Sequence, residues 1–347
     1  MKKIGIWGQF GDGEVIADGQ AVRTTIITEE LKKRYGSNNI EIVNTANWKK
    51  HPLSFLFKTI KLYFDCTKIV IFPADNGFKI VTFVYSVLGL IKKKELFDVV
   101  IGGYLPGLID KHKRYAKRLK KYRALFVQTP NLKSDLNIRG LNNVYILSNL
   151  KRLNTRRLEE ISLLQDRRLK VCTLSRITES KGIDDAVEAV RLTNEKLGGI
   201  FIRLDIFGIV ANDYKNHFEN LLLDNSSFVN YGGVLQYDKT SDTLKNYFAM
   251  LFPTFYYGEG FPGNVVDALN AGIPIIATDW NYNKEVIIDK RNGLLVPIHD
   301  PLAISDALMT FYNNRQLACE ISKNNVIDAS QYSPDRVLEV FYSFFDE

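Results

Sequence analysis

Short apolar runs alternate along this chain with longer segments in which apolar side chains recur every three or four positions. Runs of the first kind read as buried strands, and segments of the second kind as amphipathic helices. In the first half the pattern predicts strands near residues 3–8, 40–44, 68–72, 98–101, 124–128 and 143–147, with helices near 19–35, 53–64, 77–91, 107–121 and 131–138. A second series starts near residue 169, with strands near 170–175, 201–207, 228–231, 249–253, 274–278 and 293–296. Strict strand–helix alternation predicts parallel sheets, and 347 residues exceed one ordinary domain. We therefore expect two doubly wound α/β domains, residues 1–168 and 169–332, with the polar, Arg-rich segment 151–168 as the linker. Ser333-Pro334 then opens a last stretch, 333–347, in which Val337, Val340, Phe341 and Phe344 fall at helical spacing.

The most informative chemistry lies in residues 258–285. Glu259 and Asp267 stand eight positions apart, the first on a loop of Gly and Pro, the second inside the following helix. A loop of small residues that opens a helix presents free backbone N–H groups and the positive end of the helix dipole, which favour phosphate. Carboxylates accept hydrogen bonds from vicinal hydroxyls such as those of a sugar ring or a ribose. Together these describe a sugar nucleotide. An acidic turn complementing a helix dipole would explain one carboxylate. It would not explain the Gly260-Phe261-Pro262 loop, the Ala271-Gly272-Ile273-Pro274 break into a β-rich run, or Glu285 beyond it. Upstream, Leu174-Ser175-Arg176 ends an apolar run, and Glu179-Ser180-Lys181-Gly182 leads into the helical segment Ile183–Lys196. Arg176 and Lys181 thus fall on a strand-to-helix loop, where open α/β sheets hold their ligands. Two cations there would neutralise a diphosphate, Arg by its planar fork and Lys as a point charge.

These two elements resemble the motifs of the retaining GT-B glycosyltransferases, the large family usually numbered four. The resemblance implies two Rossmann-like domains facing each other across a cleft, with the C-terminal helix crossing back to the first domain. It implies that Glu259 holds the donor sugar, with Gly260, Phe261 and Pro262 beside it. The family's second Glu holds the ribose, and Asp267 stands there one methylene shorter. Arg176 and Lys181 match the phosphate-binding pair. Val234 matches a position whose backbone meets the base, and Gly19 a position near the donor phosphate. The first βα turn, Trp7 to Gly13 followed by Asp18-Gly19-Gln20, is glycine-rich but lacks Gly-x-Gly-x-x-Gly spacing, which disfavours a hydride-transfer enzyme. No Asp-x-Asp occurs, so fixed cations in place of a metal are expected to carry the departing diphosphate. Many relatives place a His after the fourth strand of the first domain. Here that strand, Phe97 to Tyr104, ends in glycines, and His112 sits in a basic segment. First-domain catalytic residues are therefore left unassigned.

Composition adds a partner. Residues 1–168 hold 31 Lys and Arg against 15 Asp and Glu, while residues 169–347 hold 15 against 24. Such asymmetry suggests an anionic partner for the first domain. The densest patch is Lys111–Arg123, in which Tyr115, Leu119 and Tyr122 would form an apolar stripe if helical. Residues 52–64 mix Phe55, Leu56, Phe57, Ile60, Tyr63 and Phe64 with Lys58 and Lys61. Both segments suit a peripheral helix on anionic lipid, and both equally suit a sheet-packing helix with a solvated Lys/Arg face. Cys66, Cys172 and Cys319 lack metal or redox spacing and read as buried thiols of a cytoplasmic protein. No signal-peptide pattern is expected, and the apolar run Ile80–Ile91 is too short to span a bilayer. The resulting expectation is a metal-independent enzyme at the inner face of a membrane, using a nucleoside-diphosphate sugar to extend a glycan or lipid-linked glycan. Its rivals are a sugar-nucleotide-binding protein without transferase activity and a basic nucleic-acid-binding protein, for which no binding module is recognisable.

Overall fold

The computed structural model describes residues 3–10, 19–46, 48–73, 75–152, 154–163 and 166–346. The chain forms two compact units, one of residues 1–150 and 334–347, the other of residues 151–333.

The first unit is built on β1 (Ile4–Gly8), α1 (Gly19–Tyr35), β2 (Ile40–Asn44), α2 (Pro52–Asp65), β3 (Lys68–Phe72) and α3 (Asp75–Leu88). It continues through β4 (Glu95–Val99), α4 (Leu105–Lys111), α5 (Arg114–Leu119), β5 (Ala124–Val127), α6 (Pro130–Ile138) and β6 (Val144–Ile146). The described strands pair in parallel in the order β2-β1-β3-β4-β5-β6. β1, β3 and β5 are buried throughout. This is the pattern of strands covered on both faces.

The second unit comprises β7 (Leu169–Leu174), α7 (Ile183–Leu197), β8 (Ile202–Phe207), α8 (Lys215–Asp224), β9 (Val229–Gly233) and α9 (Thr240–Leu244). β10 (Ala249–Phe252), α10 (Gly263–Ala271), β11 (Ile275–Thr278), β12 (Gly293–Val296), α11 (Pro301–Asn313) and α12 (Arg315–Ala329) complete it. Its sheet is also parallel, in the order β12-β11-β10-β7-β8-β9. The chain steps from β7 outward to β9, then returns to the other side of β7 as β10. Loops after β7 and β10 therefore lead to opposite faces and leave a crevice at the carboxyl ends of these two strands.

Three expectations change. The fourth strand begins at Glu95 and ends at Val99, earlier than 98–101. The helix expected over 107–121 is broken at His112-Lys113 into α4 and α5, and the burial of Tyr115, Leu119 and Tyr122 decides for the sheet-packing alternative. Segment 151–168 belongs to the second unit instead of the first. Its polar groups find their partners there: Arg156 N donates to Asn270 O (2.9 Å), Thr155 Oγ1 to Asn270 Oδ1 (2.6 Å) and Asn154 Nδ2 to Asp242 Oδ1 (3.2 Å).

After residue 333 the chain rejoins the first unit as two helical turns, α13 (Pro334–Val337) and α14 (Glu339–Tyr342), where one helix had been expected. Phe341, Phe344 and Phe345 are buried there against Phe97 and Phe126, with ring centroids 4.9 Å apart for Phe126–Phe341 and for Phe97–Phe345. Lys68 Nζ donates to Phe344 O (2.6 Å), and Arg34 and Tyr35 bind Asp346.

Candidate functional site

The crevice of the second sheet gathers residues far apart in sequence. After β7 the chain forms a 3₁₀ turn at Glu179–Lys181 and reverses at Gly182, whose φ is 69°. A Cβ at Gly182 would lie 2.1 Å from Pro253 O, so both the left-handed backbone and the close approach require glycine. That approach docks the turn on the segment after β10: Phe255 N donates to Ser180 O at 2.9 Å. Lys181 Nζ is thereby brought 2.5 Å from Glu259 Oε2, across 78 positions of sequence. Thr254 Oγ1 donates to the same oxygen at 2.9 Å, and the Lys181 ammonium lies 4.8 Å from the centre of the Tyr256 ring. Trp280 Nε1 and Asn281 Nδ2 donate to Tyr256 O and hold the loop from the next βα connection. The carboxylate is buried, yet it is satisfied by a cation and a hydroxyl, the condition for keeping a charge in a site shielded from water.

Gly260, Phe261 and Pro262 are buried and lead directly into α10. No side chain caps the start of this helix. Asn264 instead donates from Nδ2 to Leu174 O, fastening the start of α10 to the end of β7. An uncapped helix start offers N–H groups and a positive dipole end to an anion. Arg176 is exposed on the neighbouring loop; its carbonyl accepts from Ser175 Oγ (3.2 Å), and its guanidinium has no hydrogen-bond or ion partner among the described residues. Val234 follows β9 and is partly exposed.

Asp267 lies inside the helix, as its position in the sequence suggests. It lies in the middle of α10, 2% exposed, and its Oδ2 accepts from Lys151 Nζ at 2.8 Å. Thr240 and Ser241 stand beside it, and burial pushes its carboxyl above the usual carboxylate range against the pull of the Lys151 ammonium. Lys151 in turn donates its backbone N–H to Tyr332 O (3.2 Å), and the Tyr332 ring packs edge-on against Phe261, 5.1 Å away.

In the first unit, Gly19 opens α1 and a Cβ there would meet open space. Gly11, Asp12, Gly13 and Asp18 lie outside the described residues. Sequence reasoning missed Lys151, Thr254 and Asn264. A sign existed for Thr254 and Asn264, polar residues directly beyond an apolar strand and at a helix start. Nothing near Lys151 points to a residue 116 positions away.

Residues 154–326 match the sequence model of the family described as "Glycosyl transferases group 1". Poly(ribitol-phosphate) alpha-N-acetylglucosaminyltransferase of Staphylococcus aureus is 25% identical over 177 residues, 50% of this chain and 34% of that protein. N,N'-diacetylbacillosaminyl-diphospho-undecaprenol alpha-1,3-N-acetylgalactosaminyltransferase of Campylobacter jejuni is 22% identical over 61% of this chain and 52% of its own length. The chain thus spans between a third and a half of these curated relatives. Among solved structures, Anabaena HepE in complex with UDP and glucose superposes with a TM-score of 0.76 at 13% identity, covering both chains completely. Sucrose-phosphate synthase of Thermosynechococcus elongatus superposes at 0.74 and 13% identity, covering 100% of this chain and 98% of that one. By its fold the chain is GT-B, and by its sequence the second unit is a glycosyltransferase group 1 domain.

Proposed function

We propose that the chain is a retaining, metal-independent glycosyltransferase of family four. It moves a sugar from a nucleoside-diphosphate sugar to a glycan or lipid-linked glycan acceptor. The observation that carries this reading is the meeting of Lys181 and Glu259 in the crevice between β7 and β10, beside the uncapped start of α10. Glu259 accepts hydrogen bonds from the donor sugar, and Arg176, Lys181 and the α10 N–H groups take the charge that grows on the leaving diphosphate. Gly260, Phe261 and Pro262 shape the sugar pocket, the Val234 backbone meets the base, and Gly19 leaves room for the phosphate. Asp267, held by Lys151, meets the ribose through a water.

The relatives support a donor of this class, since HepE is known in complexes with UDP, with UDP and glucose, and with UDP-glucose. The Campylobacter relative is named for a diphospho-undecaprenol substrate, which supports a lipid-borne acceptor here. The excess of cations in the first half of the chain suits peripheral contact with anionic lipid at the inner face of a cell membrane. Among the described residues no helix is long and apolar enough to cross a membrane. Thermal-shift measurement against UDP-, GDP-, ADP- and dTDP-sugars tests the donor, because a ligand that binds the folded state raises its stability. One panel member should stabilise the protein and be consumed with an acceptor present, in EDTA as in its absence. Stabilisation without any transfer or hydrolysis would leave only a binding protein.

A further inference from the structure

The outer surface of the first unit carries a feature that the donor chemistry does not use. α2 and α3 both connect strands stepping in the same direction across the sheet, so right-handed crossovers put them on one face as neighbours. The Tyr63 and Tyr85 rings lie 5.1 Å apart between them, and Tyr85 Oη donates to Thr59 O. Their inner positions, including Thr59, Leu62, Tyr63, Phe78, Val81 and Tyr85, are buried, as expected for helices covering a sheet. Several of their outer positions are apolar as well, between exposed lysines. On α2 Leu53, Phe57 and Phe64 form an outward stripe. On α3 Phe83 and Val87 do the same, and the stripe runs on into Leu90 and Ile91 just after the helix. Leu53 is 84% exposed, Phe57 67%, Leu90 79% and Ile91 73%. A helix of a water-soluble domain normally turns a charged face outward, and one that is apolar all round belongs against another apolar phase. The exposed area of these side chains is on the order of 800 Å², above the few hundred Å² usual for the largest patch on a monomer.

Charge names that phase. Residues 49–94 hold nine lysines and two carboxylates, Asp65 and Asp75. Lys58 and Lys61 lie among the outward residues of α2, and Lys92 and Lys93 follow Ile91 directly. The neighbouring α5 adds Arg118, whose guanidinium covers the Phe83 ring at 5.3 Å. Bulky apolar tips between exposed ammonium groups match the boundary of an anionic bilayer, where tips enter the acyl region and cations stay at the headgroups. We propose that the outer face of α2 and α3, with the turn Leu90–Lys93, is the surface that inserts into the interface of an anionic membrane. This gives the reading of a lipid-borne acceptor its place on the molecule and rests on that reading for its purpose, while lipid binding itself needs no donor. α5 plays a different part from the one its sequence suggests: with Tyr115, Leu119 and Tyr122 buried, it contributes charge but no insertion.

Sedimentation with vesicles of phosphatidylcholine alone, or mixed with phosphatidylglycerol, tests the proposal on the whole chain. Wild type should bind the mixed vesicles, with a part of the binding persisting at high salt. Changing Leu53, Phe57, Leu90 and Ile91 together to Ser should lower partitioning roughly 100-fold and abolish the salt-resistant part. Changing Lys58, Lys92 and Lys93 together to Gln should remove the preference for phosphatidylglycerol, also roughly 100-fold. These positions are exposed, so both variants should keep the melting temperature and the donor-nucleotide shift of wild type. Loss of that shift in every form, wild type included, would tell against the donor reading without touching the lipid result. No binding of wild type to mixed vesicles at low salt, or equal binding by the Ser variant, would overturn the inference. So would concentration-dependent self-association that the Ser variant abolishes, which would make this face a contact between copies.

Discussion

Both units wrap helices around a six-stranded parallel sheet, but they place their ionisable groups differently. In the second unit, buried carboxylates are paired with lysines: Glu259 with Lys181, Asp267 with Lys151. In the first, Lys68 is buried within 3.8 Å of Glu95, but two further buried groups, Arg23 and Asp98, have no ionic partner among the described residues. Among the described residues Arg23 is held by Leu147 O and Ser148 O alone. Burial lowers its guanidinium to about 9 and raises the Asp98 carboxyl to about 8. The cations of the first unit lie mostly outside, next to exposed apolar side chains. Paired charges at strand ends are the means to receive a charged small molecule, whereas cations mixed with exposed apolar tips suit an extended anionic surface.

The sharpest way to break this contrast is Glu259→Gln. If the carboxylate binds the sugar hardest as the ring distorts, turnover should fall by about 10³-fold or more with the fold intact. Near-normal turnover would remove Glu259 from the chemistry. The second pair tests structure rather than reaction. Lys151→Met leaves a buried carboxylate alone and should cost about 3–5 kcal/mol of stability. Lys151→Met combined with Asp267→Leu should recover most of it, read from denaturant midpoints. If the double variant is no better than the single one, the ion pair is not what Lys151 supplies.

Arg176→Ala and Lys181→Ala should each weaken binding of the nucleoside diphosphate by about 10- to 100-fold, with non-additive effects because both cations act on one group. Calorimetry on the two single variants and the double variant decides this, and strict additivity would place the cations on separate groups. In the first unit, Asp98 makes the converse case. Its folded form keeps the proton to about pH 8, while the unfolded form releases it above about pH 4, so its contribution to stability falls as pH rises between those values. Asp98→Asn does not titrate. It should be more stable than wild type by ~1–3 kcal/mol near pH 7, with the gain vanishing towards pH 4. A gain independent of pH would show that Asp98 is not the cause. The smallest effect is expected from Lys113, Arg114, Lys117 and Lys120 changed together to Gln. Vesicle binding should weaken about tenfold at low salt and not at all at high salt, since α5 supplies charge without insertion. A loss that survives high salt would mean that α5 also enters the lipid.

Much of the second unit was legible in sequence because its signals are local. Apolar runs fix strand positions, Gly182 marks a reversal, and Gly260-Phe261-Pro262 marks the entry to α10. Parallel pairing follows from alternation, so the crevice between β7 and β10 could be expected before it was seen. The first unit was harder to read. Periodicity shows that an apolar stripe exists but not which phase it meets, so both alternatives stayed open for Tyr115, Leu119 and Tyr122, which are core, and nothing in the pattern marked Phe83 and Leu90 as exposed.

The sequence by itself determined the class of fold, the order of its strands along the chain, and the residue types able to hold a sugar nucleotide. Those depend on near neighbours and on the twofold or 3.6-fold period of the backbone. Tertiary structure alone decided that Lys181 faces Glu259, that Lys151 from the segment entering the second unit closes over Asp267, and that the last turns of the chain return their phenylalanines to the first sheet. Each of these contacts joins positions at least 78 residues apart. No local pattern encodes such a pairing, because the free energy that selects it comes from burying and neutralising groups that meet only once the sheet of their own unit has formed.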